Sequence, residues 1–376
     1  NSRLVAALFL ALLLYYTLPY LVVSIIGGSL ALNTITEGVV PYWSAAALII
    51  GVSLIYTLPA GLRGTVWTDV FQGTLFLVVA GLLLFAVARS LGGFSQITAQ
   101  IIAENPAMLQ RSLSEELMPI NWFSFSFTNS IAVIVFPQMF TRILAARSST
   151  TLKRASLYYP LAMAAIFAVS TLLGVWGSVA IPGLSEMDAD NIVPMLIHRF
   201  LSPAWMILGL IVILAIVKSS IDSQLLSFTH LVTDDLLPRL KNISGKQAVF
   251  WGRMLMVVFA AVAYVIAIYR PAAILNIAAF AFSGFSVMLP VMIGALYWPR
   301  ANKYGACTAL IIPAVLLHLW YLGILPSWST FGFMPVVPSF FLAIILLVAV
   351  SYLTPAPSSE QRNKTFSIFE KVFDNY

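Results

Sequence analysis

Residues 203–229 read PAWMILGLIVILAIVKSSIDSQLLSFT, an apolar run interrupted past its middle by Lys218-Ser219-Ser220-Ile221-Asp222-Ser223. A helix rising 1.5 Å per residue needs about 20 apolar residues to cross roughly 30 Å of hydrocarbon, and this run supplies them. Nowhere else in the sequence do charges of both signs lie so deep in such a run. Ionisable groups at that depth cost roughly 2.5–3.5 kcal/mol each even on lenient insertion scales, so they persist where they face a packed interior or a water-filled path. The stretch therefore predicts a transmembrane helix with a functional site inside it.

The surroundings agree. Of 376 residues, 60% are hydrophobic, 13% aromatic and only 9% charged, a combination foreign to soluble domains. The expected fold class is an all-α polytopic membrane protein. A single cysteine, Cys307, excludes an intramolecular disulfide framework and Cys-based metal sites, and His198, His230 and His318 lack ligand spacing. The net charge of +6 comes without any basic run interleaved with aromatics, so nucleic acid is not an expected partner. Membrane topology accounts for it better.

Runs of the required length give ten expected spans, near 4–30, 43–61, 69–88, 122–144, 157–181, 203–229, 249–269, 272–298, 304–324 and 336–354. Turn signals such as Gly92-Gly93, Asn105-Pro106, Pro182-Gly183, Pro271, Pro299 and Pro326 separate them. Residues 1–354 thus read as one transmembrane domain, with 355–376 as a tail whose Phe366, Phe369, Val372 and Phe373 recur at helical spacing. The connections 90–120 and 182–202 have room for short helices. If the first span runs outward, fifteen of the twenty Lys and Arg residues fall at cytoplasmic ends, four outside and Lys218 within the membrane. Both ends of the sequence are then cytoplasmic, in an integral protein expected in a bacterial inner membrane. With no initiator Met and a span beginning at Arg3, the polypeptide is expected to extend further toward its amino terminus.

Three polar constellations carry functional readings. In the first, Ser219, Asp222 and Ser223 stand at i, i+3 and i+4 on one helix face, with Lys218 able to pair with Asp222. Hydroxyls and a carboxylate are hard donors suited to Na⁺; alternatively the serines serve close packing and bond back to their own helix. The second, Gly61-Leu62-Arg63-Gly64-Thr65-Val66-Trp67-Thr68-Asp69-Val70-Phe71-Gln72, reads as a cytoplasmic turn that delivers Asp69 and Gln72 onto the next helix. Asp69 either caps that helix or enters a site. The third runs from Phe136 to Arg147, where Pro137 predicts a kink or break with Asn129, Ser130 and Gln138 nearby. Ser283, Gly284, Ser286 and Pro290 mark a loosened eighth span, as hinge or as small-residue packing.

In this order the constellations resemble the sodium:solute symporter family. Gly61 to Gln72 is similar to that family's Gly-Leu-x-x-x-x-Trp-Thr-Asp-x-x-Gln stretch, Pro137 to Ala146 to its Pro/Asn, Gln and Arg segment ending in alanines, and Ser219 to Leu226 to its Ser-Ser/Thr-x-x-Ser-Gln-Leu-Leu segment. Trp298-Pro299-Arg300-Ala301-Asn302-Lys303-Tyr304-Gly305 resembles its aromatic, basic and glycine turn. The resemblance implies a five-plus-five inverted-repeat transporter core, incomplete at the amino terminus, in which the expected spans one to eight are core helices three to ten. It implies a principal sodium at Ser219 and Ser220 with the Ile216 carbonyl, shared with core helix one, and a second sodium held by Asp69, Ser219, Asp222 and Ser223. The sequence departs from that pattern in having carboxylate Asp222 where a hydroxyl can stand, and Lys218 just before the serines, a candidate for coupling or for charge replacement.

The resulting expectation is a secondary active symporter, not an enzyme, that imports a small organic solute by alternating access with Na⁺ as coupling ion and no organic cofactor. Asn129 and Gln138 are the candidate substrate contacts. The partners are the solute and the lipid bilayer, and no oligomer is required. Proton-coupled or uncoupled transport, and a symporter-like sensory domain of a signalling protein, are the alternatives.

Overall fold

A computed structural model describes residues 2–104, 106, 118–237 and 245–359, with the backbone alone at 59–67. The helices are α1 (Arg3–Ile35), α2 (Tyr42–Ser90), α3 (Phe94–Glu104), α4 (Pro119–Val135), α5 (Pro137–Leu144), α6 (Ser149–Ala180), α7 (Glu186–Ala189), α8 (Ile192–Phe200), α9 (Pro203–His230), α10 (Lys246–Tyr269), α11 (Ile274–Tyr297), α12 (Lys303–Tyr321) and α13 (Val336–Leu353). A π turn, Leu231–Leu236, prolongs α9. Among the described residues, eight helices are long and apolar enough to cross a membrane, or nine if the bent pair α4 and α5 counts as one span. Large apolar side chains such as Ile55, Phe85, Leu157, Val258 and Ile345 stand exposed on helix after helix. A soluble surface would bury them; a lipid-facing one displays them.

Local signals explain the boundaries. Pro119 and Pro203 open α4 and α9 at first-turn positions, where the missing N–H has no intrahelical acceptor to lose. Ser148 caps α6 by accepting from Thr151 N at 3.2 Å. Pro137 breaks the span beginning at Pro119: Phe136 leaves the helical region and α5 departs from α4 at 51°.

One expectation is corrected. The runs 43–61 and 69–88 are not separated by a turn at Gly61 to Gly64; they belong to the single 49-residue helix α2. At 1.5 Å per residue it is about 73 Å long, so no straight crossing holds it. Its apolar parts are Tyr42–Leu58 and Thr68–Ser90, on either side of a segment carrying Arg63. The connection 90–120 contains α3, and 182–202 contains α7 and α8. The helical spacing noted at Phe366 to Phe373 lies outside the described residues.

The chain divides into two compact units. The first comprises Asn1–Thr17, Ser114–Phe140 and Ala279–Tyr376. Within it α12 and α13 form the closest pair. Asn302 caps α12 through Tyr304 N and Gly305 N at 3.1 and 2.9 Å and reaches Thr354 Oγ1 at 2.7 Å, and Arg300 binds the Thr354 carbonyl at 3.0 Å. A side chain at Gly305 would collide with the backbone of Leu347, which is why the turn ends on glycine. Gly284 likewise admits the fully buried ring of Tyr16, so this part of the eighth expected span is small-residue packing.

The second unit comprises Leu18–Leu113 and Thr141–Ala278. An apolar core of Leu83, Val87, Ile97, Leu173, Trp176 and Leu196 joins α2, α3, α6 and α8. The long helices α2 and α9 lie against each other, and Gly28 of α1 fits where a Cβ would stand 2.8 Å from Val217 and 2.9 Å from Ile49. This packing sets the middle of α9 among α1 and α2.

Candidate ion site

Three elements of the second unit deliver polar groups to one point. Asp69 lies in the second apolar part of α2, Arg142 in the last turn of α5, and Ser219 and Ser223 in the middle of α9. Asp69 Oδ2 accepts from Arg142 Nη2 at 2.5 Å, and Asp69 Oδ1 accepts from the Ser219 hydroxyl. The same Arg142 nitrogen donates to Ser223 Oγ at 2.9 Å. The carboxylate is 16% and the guanidinium 33% exposed, so the pair is largely removed from solvent. Charge-assisted bonds in such surroundings are stronger than neutral ones.

The geometry settles two alternatives. Asp69 caps nothing, because α2 runs uninterrupted through it. Ser219 and Ser223 direct their hydroxyls to other elements rather than only to their own helix. Arg142, which by position at the end of an apolar run reads as one of the fifteen cytoplasmic charges, joins the group as well. Its placement depends on the break at Phe136, and only the three-dimensional course of α5 reveals it.

The remaining candidates distribute differently. At about 100° per residue, Ser219 stands between two flanks of α9, with Ser223, Ile216 and Ser220 to one side and Asp222 and Lys218 about 60° and 100° to the other. Its hydrogen bonds turn Asp222 to that second flank rather than toward Asp69. Its Oδ2 accepts from Lys218 Nζ at 2.5 Å and its Oδ1 from Thr57 Oγ1 at 3.0 Å, and the side chain is buried. Ser220 and Ile216 are half-buried. In the first unit, Gln138 is buried in the first turn after the break, and Asn129 donates its amide to the Phe125 carbonyl of its own helix at 2.8 Å.

Comparison with known proteins gives these groups a family. The sequence profile of the sodium:solute symporter family matches residues 1–313. The chain belongs to that family. It is 27% identical over 356 residues to the high-affinity proline transporter of Bacillus subtilis (strain 168), covering 93% of this chain and 73% of that protein. To the sodium/pantothenate symporter of Haemophilus influenzae it is 27% identical over 352 residues, covering 92% and 71%. The sodium/proline symporter of Escherichia coli (strain K12) is 26% identical over 379 residues, with 96% and 71% covered. Among solved structures, a Na⁺-coupled sialic acid symporter in a substrate-bound outward-open state shares the fold, with a TM-score of 0.68 at 20% identity over 92% of this chain and 75% of that one. The chain is therefore an integral membrane transporter of the inverted-repeat class, a sodium:solute symporter rather than an enzyme, with Na⁺ as coupling ion.

Proposed function

We propose that Asp69, Ser219 and Ser223 supply sodium-binding oxygens in this symporter, and that Arg142 holds them when sodium is absent. The supporting observation is the Arg142 guanidinium bridging Asp69 and Ser223. One carboxylate and two hydroxyls are hard donors, and the single cation they meet is tethered to the chain. Sodium and Arg142 then compete for the same oxygens, so ion binding frees the guanidinium and alters the contacts between α5 and α9. Only such a difference in affinity between conformations can shift their populations, which is how the sodium gradient drives solute inward. Ser220 and the Ile216 carbonyl contribute the α9 side of the principal sodium position, beside Ser219. Gln138, at the break between α4 and α5, is the preferred solute contact over Asn129, whose amide is engaged within its helix.

The chain lies in a bacterial inner membrane with its Lys- and Arg-rich connections on the cytoplasmic side. Relatives acting on proline and pantothenate make a small carboxylate-bearing or amide-bearing solute the class to test first. The deciding experiment is uptake of labelled proline or pantothenate by the full-length protein with Na⁺ replaced by choline at fixed pH. Uptake should collapse; undiminished uptake would refute sodium coupling and return the reading to a proton-coupled or uncoupled carrier.

A further inference from the structure

The flank of α9 next to Ser219, on the side away from Ser220, carries a second polar group that the proposed sodium site does not use. Asp222 is 2% exposed, and each carboxylate oxygen has a partner: Lys218 Nζ at 2.5 Å and Thr57 Oγ1 at 3.0 Å. Lys218 Nζ also lies 3.5 Å from the ring centroid of Tyr56. Ser53, whose hydroxyl is fully buried, stands beside the same carboxyl at the margin of hydrogen-bonding geometry. Ser53, Tyr56 and Thr57 fall at i, i+3 and i+4, so one face of α2 presents all three, while neighbouring Val52 and Ile55 are exposed on another.

These are the parts of a small cation site: a desolvated carboxylate, two hydroxyl oxygens and an aromatic face, with an ammonium group already among them. An ammonium directs its protons at a few acceptors, whereas a bare ion draws oxygens from every side; Ser53 is the oxygen the ammonium leaves over. We propose that Ser53, Thr57 and Asp222 form a second cation site that Lys218 fills as a tethered ion, closing to sodium a position able to hold it. Being one helical turn from Asp222, the ammonium competes intramolecularly, with an effective concentration free sodium does not match. A fixed cation never crosses the membrane and contributes nothing to coupling. Lys218 thereby lowers by one the number of sodium ions the protein binds. The inference rests on the sodium-coupled reading above.

The test is binding of radioactive sodium to the purified full-length protein, counted per molecule. Lys218→Met is expected to bind one ion more than the unaltered protein, Lys218→Arg the same number, and the neutral pair Lys218→Met with Asp222→Asn also the same number. An unchanged count in folded Lys218→Met overturns the proposal. So does the loss of one ion in the neutral pair, because Asp222 would then already be a sodium ligand. If Lys218→Met fails to fold around its unpaired carboxylate, the neutral pair, which leaves no buried charge, decides alone. Asp69→Asn run in parallel separates the two readings: it loses an ion if Asp69 binds sodium, whatever Lys218 does.

Discussion

Asp69 meets a hydroxyl on one oxygen and a guanidinium on the other, so neutralising it removes the charge of the Asp69–Ser219–Ser223 group while keeping its shape. Asp69→Asn should lower sodium-dependent uptake by about 10- to 100-fold, the equivalent of the roughly 1.5–3 kcal/mol carried by a hydrogen bond to a charged group. Titrating uptake against sodium in proteoliposomes checks this, and an unchanged half-saturating concentration would remove Asp69 from the site. Arg142→Gln carries the opposite sign. With the competing cation gone, the half-saturating sodium concentration should fall even though the variant is less heat-stable, and a rise would show that Arg142 assists sodium rather than displacing it. Ser219, Asp222 and Ser223 were legible in the sequence because polar side chains stand out in an apolar run. Their partition was not: i, i+3 spacing allowed Asp222 to share a face with Ser219, and only the approach of Thr57 on α2 fixes which way it turns. Arg142 looked like any arginine at a cytoplasmic end, since its depth depends on a bend whose direction no local rule gives.

Among the elements, the twelve- and thirteen-numbered helices and the α2 and α9 pair show how far local sequence can be trusted. Pro137 announced its break correctly, because the lost donor and the ring clash act within one turn. Gly61 and Gly64 suggested a turn that does not form: each costs a helix only about 1 kcal/mol against alanine, too little to interrupt α2. The glycine ending the Trp298 to Gly305 motif has its reason in a partner far along the chain. Gly305→Val should push α12 off the Leu347 backbone and destabilise the protein by about 1–3 kcal/mol. Thermal unfolding in detergent would register a lower midpoint, and an unchanged one would mean the helices can separate freely. Gly28→Val should act in the same direction through Val217 and Ile49.

For the whole molecule, the distribution of charge carries the prediction. With Cys307 replaced by serine, a cysteine at Asp188, in the α7 connection, should react with a membrane-impermeant maleimide in intact cells, and one at Lys303 only after permeabilisation. The reverse pattern would invert the proposed orientation. Helix class was readable from apolar run lengths, because the hydrocarbon thickness imposes them on every span alike, whereas the ten expected spans exceed the eight or nine among the described residues. How the helices divide into two compact units was not, since α1, α5 and α11 each contribute residues to both.

The pairing of Lys218 with Asp222 has a consequence for biosynthesis. The two residues are neighbours on one helical turn, so their charges can neutralise each other as soon as that helix winds, before any other span arrives. Asp69 and Arg142 are 73 residues apart and must each enter the bilayer unpaired. The first pair thus eases membrane insertion of its own helix, while the second can form only late, when α2, α5 and α9 have come together, and so marks the completion of assembly.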